Sequence, residues 1–376
     1  MVAGYGSSMP RKPRTRRHRY HLRNWSEYNS ALKARGSITL WMDESAIEHW
    51  TRKPRAGEKL LRGHPVTYSD VAIHCLLTLK AVFHLPLRAT EGFARSVLEL
   101  MRLPAKRLTP HFSTISRRGR KLHVDLGVHH NKRNNRTEPL HLVVDSTGLK
   151  LHGEGEWKVK KHGWVKHRKW LKMHLVVDSE TLLVRGVSTS DEHASDSKEF
   201  VKLLGEESDP VAYAKGDGAY DTHEAYDAMR ARPERPVAIF LPHRERRAGT
   251  RPRPDRGHPR VEGQRVNQGG YRHHLWQHGK HGNSKAPRAE PLLDRLDRDE
   301  HIRRIRRVGR KRWKEEVGYH ERSLVETEVF RFEEIFGPSL SARDDAGRET
   351  EVRIKVAALN RMTELGMPDS YLVQTA

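Results

Sequence analysis

The chain of 376 residues has a single cysteine, Cys75. No internal disulfide can form, and a reducing cytosol fits that usage. Cys75 falls in an apolar helical pattern, which predicts a buried, inert thiol. Long apolar runs are also missing: none approaches the roughly 20 residues that span a bilayer. Basic residues open the chain, but no apolar stretch follows them to make a signal peptide. Aromatics are 7% and hydrophobic residues 35%. The apolar residues are clustered, which predicts compact modules joined by polar segments, not a disordered chain. Acidic residues are outnumbered, 48 against 71 Lys and Arg, for a formal net charge of +23. A surplus of that size repels itself unless it faces a polyanion. With a membrane disfavoured, nucleic acid is the expected partner. The length predicts two or three domains.

Residues 1–23 carry PRKPRTRRHRYHLR and read as a basic flexible arm. Residues 24–125 read as helical. Ser69 caps a helix running to about Leu85, with Val71, Cys75, Leu79 and Val82 at helical spacing and Ala72, Leu76 and Leu77 widening the face. A second helix places Phe93, Val97, Leu98 and Met101 on one side. Ser113 then caps a short basic helix that carries Arg117 and Arg118. The arrangement reads as a DNA-binding helix-turn-helix or as a plain helical bundle, and the pattern leaves both open.

From residue 139 the period changes. LHLVVDST, WLKMHLVVDS and LLVRGVST read as strands, the last two as a hairpin turning near Glu180 and Thr181. Asp196 caps a helix; PVAYAKGDGAYD is a strand ending at Asp217; THEAYDAMRAR is a helix; PVAIFLPH is another strand. Three strands, helix, strand, helix, strand make a mixed α/β layered domain over 139–376. Residues 244–290, rich in Arg, His, Gly and Pro, read as an exposed basic insertion. Helix returns over about 292–336, and a final helix carries Val352, Val356, Leu359 and Met362.

Asp145 falls near the end of one apolar strand and Asp217 at the end of another. A desolvated carboxylate is costly without a counterion. One such aspartate is ordinarily a plain strand end. Two of them, flanked by Ser146, Thr147, Gly148, Gly216, Gly218 and Ala219 on a strongly basic chain, favour a bound divalent cation. Hard oxygen ligands select Mg2+ or Mn2+. In YHERSLVETEVFRFEEIFG, Tyr319, Arg322 and Glu326 fall at i, i+3 and i+7 and share one helical face. Such a helix can bring Glu326 to the two aspartates, with Arg322 positioned to clamp a phosphate. On a generic helix, Arg322 and Glu326 would simply be an exposed ion pair.

VVDSTGLK, GDGAYD and YHERSLVETEVFRFEEIFG resemble the three catalytic blocks of DDE transposases from prokaryotic insertion sequences. Tyr319, Arg322 and Glu326 match the family signature Y-x2-R-x3-E-x6-K; the last position is Glu333, which puts the DNA contact of that lysine in doubt. The resemblance covers about 24–370 and implies an RNase H-like catalytic domain with a mixed five-stranded sheet, preceded by an all-helical DNA-binding region. It implies Asp145, Asp217 and Glu326 as catalytic residues and metal ligands. Two divalent ions about 3.5–4 Å apart would flank the scissile phosphate. Water, and later a 3′-hydroxyl, would attack in line, so the transposon end is cut and then joined to target DNA. Expected partners are duplex DNA at the terminal inverted repeats and target, and a second copy in a homodimer. The expected location is the prokaryotic cytoplasm, at the nucleoid.

Trp157, Trp164 and Trp170 interleave with lysines and Arg168; they read equally as a DNA contact or as tryptophans packed under a hairpin. Trp313 reads as a packing residue or as a platform for a flipped base. The histidines at 273, 274, 278 and 281 fit no standard zinc spacing and read as part of a solvated loop. Two other functions remain: a nuclease that cuts without joining, and a transposase-derived DNA-binding protein.

Overall fold

The computed structural model describes residues 19–52, 68–128, 138–151, 170–242 and 298–373. Most of the basic arm, Trp157 and Trp164 with their flanking cations, and the insertion at 244–290 with its histidines lie outside the described residues.

Strands β2 (Leu140–Leu151), β3 (Trp170–Asp178) and β4 (Val184–Asp191) form an antiparallel meander. Strands β5 (Val211–Gly216) and β6 (Val237–Phe240) extend it in parallel, in the order β4-β3-β2-β5-β6. This is the mixed sheet flanked by helices that the resemblance implies, and it is consistent with an RNase H-like fold. A short sixth strand, β7 (Ser339–Leu340), which the sequence reading lacked, pairs with the far end of β2.

Period-two alternation sends alternate β2 side chains to opposite layers. Leu142 and Val144 face Phe200 and Leu203 of α8 (Asp196–Glu206) and Met229 of α9 (His223–Ala231). Val143 and Leu149 face Val325 and Phe332 of α11 (Ser323–Phe336) and Leu359 of α12 (Asp345–Leu365). Where both faces are covered, the inner strands carry unbroken apolar runs, as at Leu142–Val144 and Leu175–Val177. Asp196 does not cap α8. Ser195 holds that position without a side-chain bond, and Asp196 accepts from Lys172 Nζ at 2.7 Å.

A short strand in the expected flexible arm precedes the helical region: β1 (Arg19–Leu22) pairs antiparallel with β8 (Ser370–Val373). The region's helices are α1 (Trp25–Arg35), α2 (Ile38–Trp41), α3 (Glu44–Glu48), α4 (Asp70–Val82), α5 (Leu87–Leu100), α6 (Ala105–Leu108) and α7 (Phe112–Gly119). Ser69 caps α4 by accepting from Ala72 N at 3.1 Å. The helix stops at Val82, before His84, whose φ is 52°. Val71, expected on the apolar face, is 45% exposed, while Ile73 is buried. His111, not Ser113, precedes α7, its Nδ1 accepting from Ser113 N at 3.4 Å.

Ile73, Leu76, Leu98 and Ile115 of these helices belong to the same buried cluster as Val143, Leu171 and Leu359. Asn360 of α12 secures the junction: its Nδ2 donates to Leu126 O and Val184 O, and its Oδ1 accepts from Val184 N at 2.8 Å. Cys75 is buried as expected. Its Sγ donates to Trp41 O at 3.2 Å, and burial pushes the thiol up to about 12.

Among the described residues no single helix is long and apolar enough to cross a membrane. Helices α4 and α5 pass together on length and composition, but they meet at 111° and pack into the shared core.

Candidate active site

Parallel pairing of β2 with β5 places Val143 opposite Lys215. Two residues further along each chain stand Asp145 and Asp217, at the carboxyl end of β5. Asp145 is not at a strand end, as the sequence implied. β2 runs on to Leu151, because β3 pairs with it past the point where β5 stops. Asp145 therefore sits mid-strand beside the end of its parallel neighbour. Asp217 leaves β5 and caps a short 3-10 turn, Gly218–Tyr220, accepting from Ala219 N at 2.8 Å. Gly216 is small for packing: a Cβ there would lie 2.7 Å from the Tyr220 ring and 2.9 Å from Val144 Cγ2.

Tyr319, Arg322 and Glu326 do not share one continuous helix. Tyr319–Arg322 forms a 3-10 turn, and α11 begins at Ser323. The three still converge on the aspartates. Arg322 Nη1 donates to Asp145 Oδ2 at 2.8 Å and Nη2 to Glu326 Oε1 at 2.6 Å. Tyr319 is buried, and its hydroxyl donates to Gly216 O at 3.1 Å. It braces the turn against the residue before Asp217 and offers no surface to DNA.

Burial raises the Asp145 carboxyl to about 6; Arg322 and the Ser146 N–H oppose that rise, while Asp217 and Glu326 add to it. Asp145 thus senses the charges of the other two carboxylates through a partly desolvated site. Burial disfavours the charge on Arg322, yet Asp145, Tyr319, Glu326 and Asp217 together hold it on. Among the described residues, no three His, Cys, Asp or Glu side chains close on one point as a ready metal cage. Arg322 instead lies between Asp145 and Glu326. The donor set, a buried Asp145 carboxylate with the charges of Asp217 and Glu326 near it, fits a hard divalent cation, which would compete with Arg322 for the same oxygens.

The sequence reading missed the network that fixes this turn. Lys215, 2% exposed, donates to Glu321 Oε2 at 2.8 Å and to Gly318 O at 3.1 Å. The Tyr213 hydroxyl donates to the same carboxylate oxygen at 2.6 Å. Lys215 stands two residues before Asp217, and Glu321 immediately precedes Arg322. The pair therefore couples the placement of one carboxylate to that of the bridging arginine. A lone lysine in the apolar run VAYAKG was the available signal.

Trp313 is fully buried, its Nε1 donating to His301 Nδ1 at 3.2 Å, so it packs and has no face for a flipped base. Arg118 of α7 hydrogen-bonds Tyr68 O and Asp70 Oδ1 at the start of α4, an internal tie in place of the expected DNA contact. Arg117 is exposed on α7. Glu333 is half-buried on α11; burial pushes its carboxyl up, and Lys150 of β2 is close enough to oppose that rise.

Two family models, each described as Transposase DDE domain, match the chain, one over residues 33–154 and the other over 136–361. No solved structure matches it. The second match covers more than half of the sequence and spans the strands and turn that carry Asp145, Asp217, Arg322 and Glu326, so the chain belongs to the DDE transposases.

Proposed function

We propose that the protein binds the terminal inverted repeats of an insertion element, cuts the DNA there and joins the freed 3′-ends to target DNA. The observation that carries this reading is the bridge from Arg322 to Asp145 and Glu326, with Asp217 at the end of the strand beside Asp145. Divalent ions, Mg2+ or Mn2+, would supply Lewis acidity at the scissile phosphate and an activated attacking oxygen. Asp145, Asp217 and Glu326 would hold the ions. Arg322, which bonds two of these carboxylates, would present its fork to the phosphate. Tyr319, Lys215 and Glu321 keep that turn in register with the sheet. No side-chain nucleophile is required, since attack comes from water or a DNA hydroxyl. The domain division proposed is a basic arm at 1–23, a helical DNA-binding part at 24–125 and a catalytic part at 139–376. Within it, Arg117 is the residue of α7 left to contact DNA. Two ends require two sites, which favours a homodimer in the DNA complex, and a nucleoid location in the cytoplasm follows.

The test is incubation of the purified protein with Mg2+ and DNA carrying the repeats that flank its gene. Cleavage at the 3′-ends and strand transfer are expected, and both vanish in Asp145→Ala. Cleavage that survives the substitution sinks the site assignment. Binding without cutting by the wild type favours a transposase-derived DNA-binding protein, and cutting without joining favours a nuclease.

A further inference from the structure

The segment Arg298–Glu316, labelled α10, holds a feature that the catalytic reading does not use. It breaks at Gly309, whose φ of 81° and ψ of 157° lie outside the helical region and suit a glycine. Side chains twelve residues apart then meet, which a straight helix rising about 1.5 Å per residue forbids. Arg304 clasps Glu316 with Nε and Nη2, both at 2.8 Å, and Trp313 reaches His301. The segment is a helical hairpin with its tip at Gly309. Its inner side is apolar along its length: Ile305, Val308, Trp313 and Val317 share one buried cluster with Val237, Ile239 and Leu241 on the edge of the sheet.

Eight of the twelve residues from Arg303 to Lys314 are Arg or Lys, and none is acidic. Arg303, Arg306, Arg307 and Lys311 are exposed. Among the described residues, Arg304 and Arg312 pair with Glu316, while those four have no acidic partner. Like charges this close disfavour the fold by a few tenths of a kcal/mol per neighbouring pair, so an unneutralised cluster on a rigid support calls for an anion from outside. The hairpin also adjoins the candidate active site. Lys314 Nζ sits 5.0 Å from the centre of the Tyr319 ring, with Arg310 and Arg322 close enough to oppose its charge.

We infer that the tip of this hairpin clamps the phosphate backbone of duplex DNA beside the bond to be cut, with Arg306, Arg307 and Lys311 as the contacts. The inference rests on the transposase reading for its ligand. The hairpin's apolar side is built independently of the contacts, so the cations can be removed without touching the staples. A contact of this kind is electrostatic and blind to sequence.

The experiment compares wild type with R306Q/R307Q/K311Q, reading fluorescence anisotropy of a labelled duplex carrying the gene's flanking repeat and of a scrambled duplex of equal length. Across a salt series, each lost phosphate contact should reduce the slope of log K against log[salt] by about 0.9. The triple variant should weaken both duplexes about tenfold or more at low salt and flatten the slope by roughly 2–3. R306K/R307K/K311R should bind as wild type does. Should the triple variant melt early, R306Q and K311Q singly read the same slope one contact at a time. Unchanged affinity and slope overturn the clamp and leave a solvated basic tip. A wild type that binds but never cuts defeats the catalytic reading alone, because the salt slope still reports on the hairpin.

Discussion

Arg322 Nη1 lies 2.8 Å from Asp145 Oδ2, although 177 residues separate them, and its other Nη lies 2.6 Å from Glu326. One guanidinium thus ties the central strand to the helix that brings the third carboxylate. Each oxygen it holds is also one that the proposed metal ions would claim. Arg322 therefore serves as a counterion shared by the two carboxylates.

The first prediction concerns this fork. Lysine retains the charge but not two divergent donors on a rigid plane. Arg322→Lys should lose about 100-fold or more in single-turnover cleavage of a repeat-bearing duplex, through misplacement of the carboxylates and the phosphate. A variant that cuts within a few-fold of wild type would show that charge alone suffices.

The second concerns metal and pH together. A ligand that binds only the folded state stabilises it by about 2.7 kcal/mol at a concentration of 100 Kd. Mg2+ should therefore raise the melting temperature of the wild type, and Asp145→Asn should lose that rise. The sign with pH follows from the Asp145 carboxyl, held near 6 against an ordinary 3.8. The folded protein keeps that proton longer than the unfolded chain, so without metal stability falls as pH rises from 3.8 to 6. The metal competes with the same proton, so the Mg2+-dependent rise should grow as pH passes 6. A metal effect independent of pH over this range would remove Asp145 from the ligand set.

The third concerns Lys215 and Glu321. Burial alone would raise the Glu321 carboxyl, but Lys215 and the Tyr213 hydroxyl outweigh it and hold it below its ordinary 4.5. A depressed carboxylate contributes stability that is present above pH 4.5 and is lost as pH falls through the folded value. Urea unfolding of Glu321→Gln should thus show a flatter decline than wild type below pH 4.5. Lys215→Met should lower cleavage at saturating DNA and leave the DNA Kd nearly unchanged, since Lys215 acts through the turn and not on the ligand. A Kd that rises with no change in the cleavage step would mark Lys215 as a DNA contact.

The fourth concerns Trp313. Truncating a fully buried tryptophan costs about 3–5 kcal/mol, so Trp313→Ala should unfold at markedly lower urea. Trp313→Phe keeps most of the packing and should cut at close to the wild-type rate, because the ring is sealed inside the hairpin. A normal melt with a large loss of end cleavage would return Trp313 to the DNA.

Much was legible in the sequence. The apolar runs around 140–178 and the strand ending at Asp217 follow from short-range periodicity, which a single strand imposes on its own residues, whereas the spacing of Tyr319, Arg322 and Glu326 was legible as a motif although a 3-10 turn and a helix share it. These gave the strand order in sequence, the three carboxylates and the family resemblance. What the tertiary structure decided was everything that depends on a neighbour far along the chain. Asp145 lies mid-strand because β3 continues beside it after β5 has stopped. Glu321 and Lys215 matter because a turn 106 residues away packs onto β5. Trp313 and Arg118 look like DNA contacts in one dimension, yet they are claimed internally, because His301 and the start of α4 reach them only after the chain folds back. Local patterning sets which residues share a face, whereas burial and pairing between distant segments determine which of them remain for the ligand.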